Sequence, residues 1–340
     1  MRFSMSILPI LFATPALAEP PSVVADIAPV HSLVEQVMEG VGTAELLLRP
    51  GASAHNYSMR PSDARKLQQA DIVIWVGEAL TPWLERPIVT LGEGSKVVKL
   101  LEIDGTTILE FSDEHDEHDE HDEHDEHDEH DEHDEHDEHD EHDEHDEHDE
   151  HEHSEEDVHK ESEESHAHHH EGVDPHAWLD PENGKTWLAA IAIVLSEADP
   201  DNADAYLSNA EARIAAIETL QSSTAETLRS SNDFAVMHDS LRYFTNRFGL
   251  EAPLALADSE ANQPGPARVA ELQGQAAERQ INCVLTEPGV SDRLIKTVFE
   301  AQEIKAVEFD PAGSLHVPGP GLYTQLLTSL GGIIANCKSE

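Results

Sequence analysis

From Asp113 to His151 the 340-residue chain repeats Asp-Glu-His thirteen times without a break, and a looser tract follows through His153, His159, His166 and His168-His169-His170. Imidazole mixed with carboxylate is a donor set that suits zinc and also accepts nickel and copper. A period of three fits neither a 3.6-residue helix nor a two-residue strand, and the triplets hold nothing apolar to bury. The tract is therefore expected to be disordered without ligand. A solvated charge run would explain the acid, but not a histidine at every third position. Residues 113–171 are thus expected to capture metal at many weak, interchangeable sites, with His115, His118, His121, His151, His153, His166, His168, His169 and His170 among the ligands. Lacking fixed geometry, such sites offer speed and little selectivity.

Five histidines lie elsewhere: His31, His55, His176, His238 and His316. Three sit where an apolar run or loop gives way to a helical pattern. His55 lies in Gly51-Ala-Ser-Ala-His-Asn-Tyr57, His176 in Asp174-Pro-His-Ala-Trp-Leu-Asp180, and His238 follows Phe234–Met237 in Met237-His-Asp-Ser240. In open α/β sheets ligands gather beyond the carboxyl ends of strands, so these three positions can converge on one crevice. Asp310, in Phe309-Asp-Pro311 after another apolar run, is a fitting oxygen ligand. Three imidazoles and a carboxylate match tetrahedral zinc at about 2.0–2.2 Å. Asp180 and Asp239 are candidates to orient the rings. His31 and His316 read as surface or structural residues, or as members of an accessory site with the histidine tract.

The elements that must place these side chains follow from hydrophobic period. Short β-branched runs at 23–27, 45–48, 72–76 and 97–101, then 234–237, 252–256, 283–286 and 306–309, alternate with helical patterns such as 29–38, 61–69, 267–280, 291–302 and 321–334. Near-continuous apolar strands between helices argue for parallel sheets covered on both faces, an α/β architecture. The strands form two groups of four. Between them, 181–198 reads as one helix, and 202–229 runs without proline or glycine, long enough for a helix of about 40 Å. The expected organisation is a signal peptide at 1–18, an N-terminal α/β lobe at 22–198 interrupted by 113–171, a linking helix at 199–230, and a C-terminal α/β lobe at 231–340.

The formal net charge is −51, but residues 113–171 carry 34 of the 71 acidic side chains, and the other 281 residues have a net charge of −18. An acidic chain lacks the basic face that a phosphate backbone requires, so nucleic acid is not an expected partner. Met1-Arg2, the apolar stretch 7–17 and Ala16-Leu-Ala18 form a charged start, a short apolar centre and a small-x-small site. That is the anatomy of a secretory signal, with cleavage expected after Ala18. Beyond residue 18 no apolar run approaches the ~18–20 residues of a membrane span. The two cysteines, Cys283 and Cys337, are expected to form a disulfide in an exported chain; zinc ligation is the rival reading, without a CxxC spacing to support it.

At these residues a family becomes recognisable. The segments 51–63, 174–180, 237–239 and 309–311 appear in the order found in the ZnuA type of cluster A-I solute-binding proteins, the periplasmic zinc-binding components of ABC importers. The resemblance covers essentially all of residues 22–338. It implies two (β/α)4-like lobes with parallel sheets, joined by a long backbone helix, with the metal in the cleft between them. It places the zinc ligands on His55, His176 and His238, and the family's C-terminal disulfide on Cys283–Cys337. Manganese-selective members have a carboxylate at the third ligand position, so His238 resembles the zinc branch. Some zinc members have a ligating glutamate just before the first histidine; here that residue is Ala54. The fourth position then falls to Asp310 or to water.

The expected function is capture of periplasmic Zn²⁺ and its delivery to an ABC permease and its ATPase for uptake, with the histidine tract as a capture or sensing accessory. Further expectations are a monomer, zinc as transported ligand, a periplasmic zinc chaperone as additional partner, and affinity that falls as pH drops through the imidazole range near about 6.5. A zinc hydrolase would need a general base, and no HExxH motif occurs, so no enzyme activity is expected. The alternative is a periplasmic metal buffer or metallochaperone uncoupled from any transporter.

Overall fold

A computed structural model describes residues 19–110, 172–229, 233–257, 263–300 and 302–337. The expected signal segment and all the tract histidines fall outside these residues. The first sheet is built from β1 (Val23–Ala25), β2 (Ala44–Leu46), β3 (Ile72–Trp75) and β4 (Lys96–Lys99), in the order β2-β1-β3-β4. The second uses β5 (Ala235–His238), β6 (Leu254–Ala257), β7 (Cys283–Thr286) and β8 (Lys305–Glu308), in the order β6-β5-β7-β8. Every pairing is parallel. Both sheets therefore reverse their direction of winding at the same place, between the first and third strands of each.

Helices α1 (Ala28–Val37), α2 (Pro61–Gln69) and α3 (Pro82–Leu91) serve the first sheet, and α6 (Arg242–Phe248), α7 (Pro266–Glu278), α8 (Arg293–Val298) and α9 (Leu322–Ala335) follow the strands of the second. Between the halves come α4 (Pro181–Ala198) and α5 (Ala203–Leu228). At 26 residues α5 is about 39 Å long, and it packs along α4 and α9. Its buried positions are few, Tyr206, Ala210, Ile217, Thr224 and Leu228, spaced so that one narrow stripe faces the core.

Both sheets belong to one compact unit, and a single apolar cluster runs through it from Val23 and Val30 past Trp187 and Tyr206 to Tyr243, Tyr323 and Leu330. Tyr323 of α9 ties the halves together: its hydroxyl donates to the Trp178 carbonyl at 2.9 Å, and its backbone N–H to Ser32 Oγ at 3.0 Å. Gly184 in α4 lies against that ring. A Cβ there would stand 2.7 Å from Tyr323 Cζ, so only glycine admits the tyrosine. Cys283 and Cys337 are joined by a disulfide with Cα atoms 5.3 Å apart, fastening the start of β7 to the end of α9. Among the described residues no helix is long and apolar enough to cross a membrane.

The chain leaves and re-enters this scaffold on either side of residues 111–171 at one point. Glu110 and Val173 form an isolated antiparallel bridge, and Asp174 N–H donates to the Leu109 carbonyl at 2.8 Å. Two side chains of α6 hold the pair. The Tyr243 hydroxyl accepts from Leu109 N–H at 2.9 Å and donates to the Asp174 carbonyl at 2.8 Å, while Arg242 Nη1 donates to the Glu110 carbonyl at 2.8 Å.

Candidate metal centre

Each of the three motif histidines arrives on a different kind of backbone. His55 lies in the loop between β2 and α2, pinned on its far side by Tyr57, whose hydroxyl donates to the buried Asp63 at 2.8 Å. Asp63 also accepts from Arg60 N–H at 2.9 Å and so caps α2. His176 precedes a single 3-10 turn (Ala177–Leu179) that leads into α4. His238 is the last residue of β5, not the first residue after it, and is buried.

These three converge. One potential ligand atom from each of His55, His176 and His238 lies within 4.8 Å of the other two. The His176 ring stands between the others, with centroid distances of 5.6 Å to His55 and 5.4 Å to His238. Tetrahedral zinc at 2.0–2.1 Å brings ligand nitrogens to about 3.3 Å, so modest closure of these rings completes a three-nitrogen face. A cavity of about 340 Å³ opens beside it, lined by His55, His176, Trp178, Glu287 and Asp310 among others. Asp310 thus reaches the same cavity, but outside the tight histidine cluster. Its two oxygens accept from Ala312 N–H at 2.8 Å and Ser314 N–H at 2.6 Å. A carboxylate has about four lone-pair sites, so these bonds orient Asp310 and leave acceptor capacity for a cation.

Two carboxylates that face the rings were not singled out from sequence. Asp174 is fully buried, and its Oδ1 lies 2.8 Å from His176 Nδ1 and accepts from His176 N–H at 3.0 Å. Glu287, one residue past β7, has Oε1 2.7 Å from His238 Nδ1. Of the expected orienting residues, Asp180 is engaged elsewhere, while Asp239 interacts electrostatically with both His176 and His238. Asp180 caps α4 through Glu182 N–H at 2.8 Å and takes both Arg247 Nε and Nη2, at 2.7 and 2.6 Å. Asp239 lies 3.6 Å from Arg242 Nε. Burial lifts its carboxyl to about 6, against the pull of Arg242 and with a further push from Asp174. A hydrogen-bond signal could have picked out Asp174, since Asp-x-His lets a carboxylate reach both its neighbour's ring and backbone N–H; Glu287 has no local signal at all.

His31 and His316 stand apart. His31 is buried in α1, with Nε2 3.1 Å from the Ala44 carbonyl, a structural role at the edge of β2. His316 is half-buried in the loop between β8 and α9, its backbone N–H on the Gly313 carbonyl.

Comparison with known proteins agrees with this geometry. The family model described as zinc-uptake complex component A, periplasmic (ZnuA) matches residues 23–337. The chain is 46% identical over 331 residues to the high-affinity zinc uptake system protein ZnuA of Paracoccus denitrificans (strain Pd 1222), covering 96% of this chain and 94% of that one. It is 40% identical over 320 residues to the protein of the same name from Brucella suis biovar 1 (strain 1330), covering 94% and 92%. Among solved structures, a crystal structure of ZnuA superimposes with a TM-score of 0.70 at 19% identity, covering 94% of this chain and all of the other. The laminin-binding adhesin Lmb of Streptococcus agalactiae shares the fold with a TM-score of 0.68 at 17% identity, over 94% of this chain and 100% of that one. With a match spanning nearly the whole chain and three histidines gathered between two parallel sheets, this chain belongs to the ZnuA family.

Proposed function

We propose that this chain is the zinc-capturing component of an ABC uptake system, binding Zn²⁺ between its two halves and delivering it to a permease driven by a partner ATPase. The observation that carries the reading is the convergence of His55, His176 and His238 within 4.8 Å. Neutral imidazoles at that spacing make a nitrogen face for a borderline-soft cation, and Asp310 supplies a fourth, oxygen ligand from the same cavity. Family membership supports the reading: the relatives are named high-affinity zinc uptake proteins. Export through the segment 1–18 delivers the chain to the periplasm, where it acts as a monomer, and residues 113–171 capture zinc and pass it to the tight site. A periplasmic zinc chaperone is a further partner in the same scheme.

The test is zinc titration of the mature protein beside a 113–171 deletion, with His55→Ala, His176→Ala and His238→Ala in each background. The expected result is one tight zinc that survives the deletion and is lost in each histidine variant. Tight binding that disappears with the tract would instead make the protein a histidine-tract buffer. Loading at limiting zinc that is unaltered by the deletion would remove the hand-off from tract to site.

A further inference from the structure

We infer that Glu287 is the positioning residue for His238, holding Nδ1 so that Nε2 alone is presented to the metal. The inference rests on the zinc-capture reading above and adds to it a residue that acts through a ligand.

Parallel pairing places the two residues side by side. In the second sheet Ala235 is level with Val284 and Val236 with Leu285. Continuing that register sets His238 level with Glu287, at the carboxyl ends of adjacent strands. These are β5 and β7, between which the winding of the sheet reverses, the position where open α/β sheets hold ligands. Side chains level with one another on neighbouring strands point to the same face, which explains why Glu287 Oε1 stands 2.7 Å from His238 Nδ1. Both are shielded: the His238 side chain is 6% exposed and that of Glu287 13%. No Lys or Arg among the described residues forms an ion pair with Glu287, so its charge faces the histidine and the cavity it lines.

A carboxylate on Nδ1 selects the tautomer with the proton there. It thereby leaves the Nε2 lone pair for a cation and makes that nitrogen a stronger donor. The first half of the molecule has the counterpart, since Asp174 occupies His176 Nδ1 at 2.8 Å. Asp174 orients the His176 ring through a hydrogen bond, and the 2.7 Å approach of Glu287 to His238 Nδ1 is inferred to do the same for the second imidazole. The two negative charges also offset the 2+ charge that three neutral imidazoles leave uncompensated.

The test uses the mature full-length protein with Glu287→Gln and Glu287→Ala. Zinc affinity is measured by chelator competition, and long-range ¹H–¹⁵N spectra of ¹⁵N-histidine protein report the tautomer of His238 without metal. X-ray absorption counts the zinc ligands. The expected result is a ~10–100-fold loss of affinity, a His238 tautomer that is single in wild type and mixed in Glu287→Ala, and an unchanged ligand count. Glu287→Gln keeps an acceptor oxygen and the side-chain volume, so it retains the fold if alanine does not, and it should show the smaller tautomer change. Affinity within twofold of wild type with an unchanged tautomer overturns the inference. Loss of one oxygen ligand in Glu287→Gln overturns it too, making Glu287 a ligand. Failure of wild-type His238 to shift on adding zinc would instead defeat the capture reading itself.

Discussion

The indole Nε1 of Trp178 donates to the Pro311 carbonyl at 2.8 Å, a buried bond between residues 133 apart in sequence. Trp178 lies two residues after His176 and Pro311 one residue after Asp310, so this bond fixes the spacing between the proposed nitrogen ligand and the proposed oxygen ligand. Trp178→Phe keeps most of the ring and leaves the carbonyl without its donor. The expected cost is about 1–3 kcal/mol of stability, with faster zinc release into excess chelator. Unchanged release kinetics would show that the bond serves the fold alone.

Asp174 and Asp180 bracket the same motif and should separate cleanly. Asp174→Asn removes the charge on His176 Nδ1 and is expected to weaken zinc binding by roughly 10–100-fold. Asp180→Asn breaks the charged two-point contact with Arg247, while its amide oxygen can still accept from Glu182 N–H. It should cost roughly 1–3 kcal/mol in urea unfolding while leaving affinity nearly unchanged. Equal effects of both variants on affinity would contradict the division of labour.

Asp26 sits at the carboxyl end of β1, fully buried, with Oδ2 accepting from Val76 N–H at 2.9 Å and Oδ1 from Ile27 N–H at 2.8 Å. Burial raises its carboxyl from 3.8 to about 7, against those two bonds. Between these values the folded chain holds a proton that the unfolded chain has released. The stability it contributes is complete below about pH 4 and is lost as pH rises to 7, on the order of a few kcal/mol. Asp26→Asn cannot ionise, so its stability should fall less than wild type from pH 4.5 to 7.5. Parallel pH profiles in urea melts would refute this.

The Cys283–Cys337 disulfide closes a loop of 54 residues' separation. Replacing both cysteines by serine is expected to cost about 4 kcal/mol by the chain-entropy account. Because Cys283 opens the strand that delivers Glu287, the double variant should also loosen zinc binding. Denaturation and affinity measured under oxidising and reducing conditions check both parts, and equal midpoints would reject the first.

Much of the scaffold was legible because parallel strands buried on both faces read as unbroken apolar runs. The helices Pro61–Gln69 and Pro181–Ala198 begin at prolines that mark their first turn, and the long proline-free stretch is α5. Strand ends moved by a residue or two, which turned His238 from a loop residue into the end of β5. Two helices gave no readable pattern. α3 carries Pro87 in its interior, and α6 is seven residues rich in aromatics, stopped by Gly249 at φ 62°. The expected helix over 291–302 shrinks to Arg293–Val298. In the site, the three histidines stood out because each sits in a short motif at a strand or loop boundary. Their partners did not. Asp174 and Asp180 flank His176, two residues before and four after it, and only the turn of the backbone decides which reaches the ring. Glu287 meets His238 across 49 residues, through a strand register that no local pattern records.

The bridge between Glu110 and Val173 has a consequence for how this chain can change over generations. Because exit and return share one pinned doorway, adding or removing whole Asp-Glu-His units between them leaves His176 where Asp174 and Tyr243 hold it. Closure entropy grows only with the logarithm of length, about 0.6 kcal/mol for each doubling. On the proposed reading of residues 113–171 as a zinc-capturing tract, repeat number would then set its capacity while the histidine cluster stays the same.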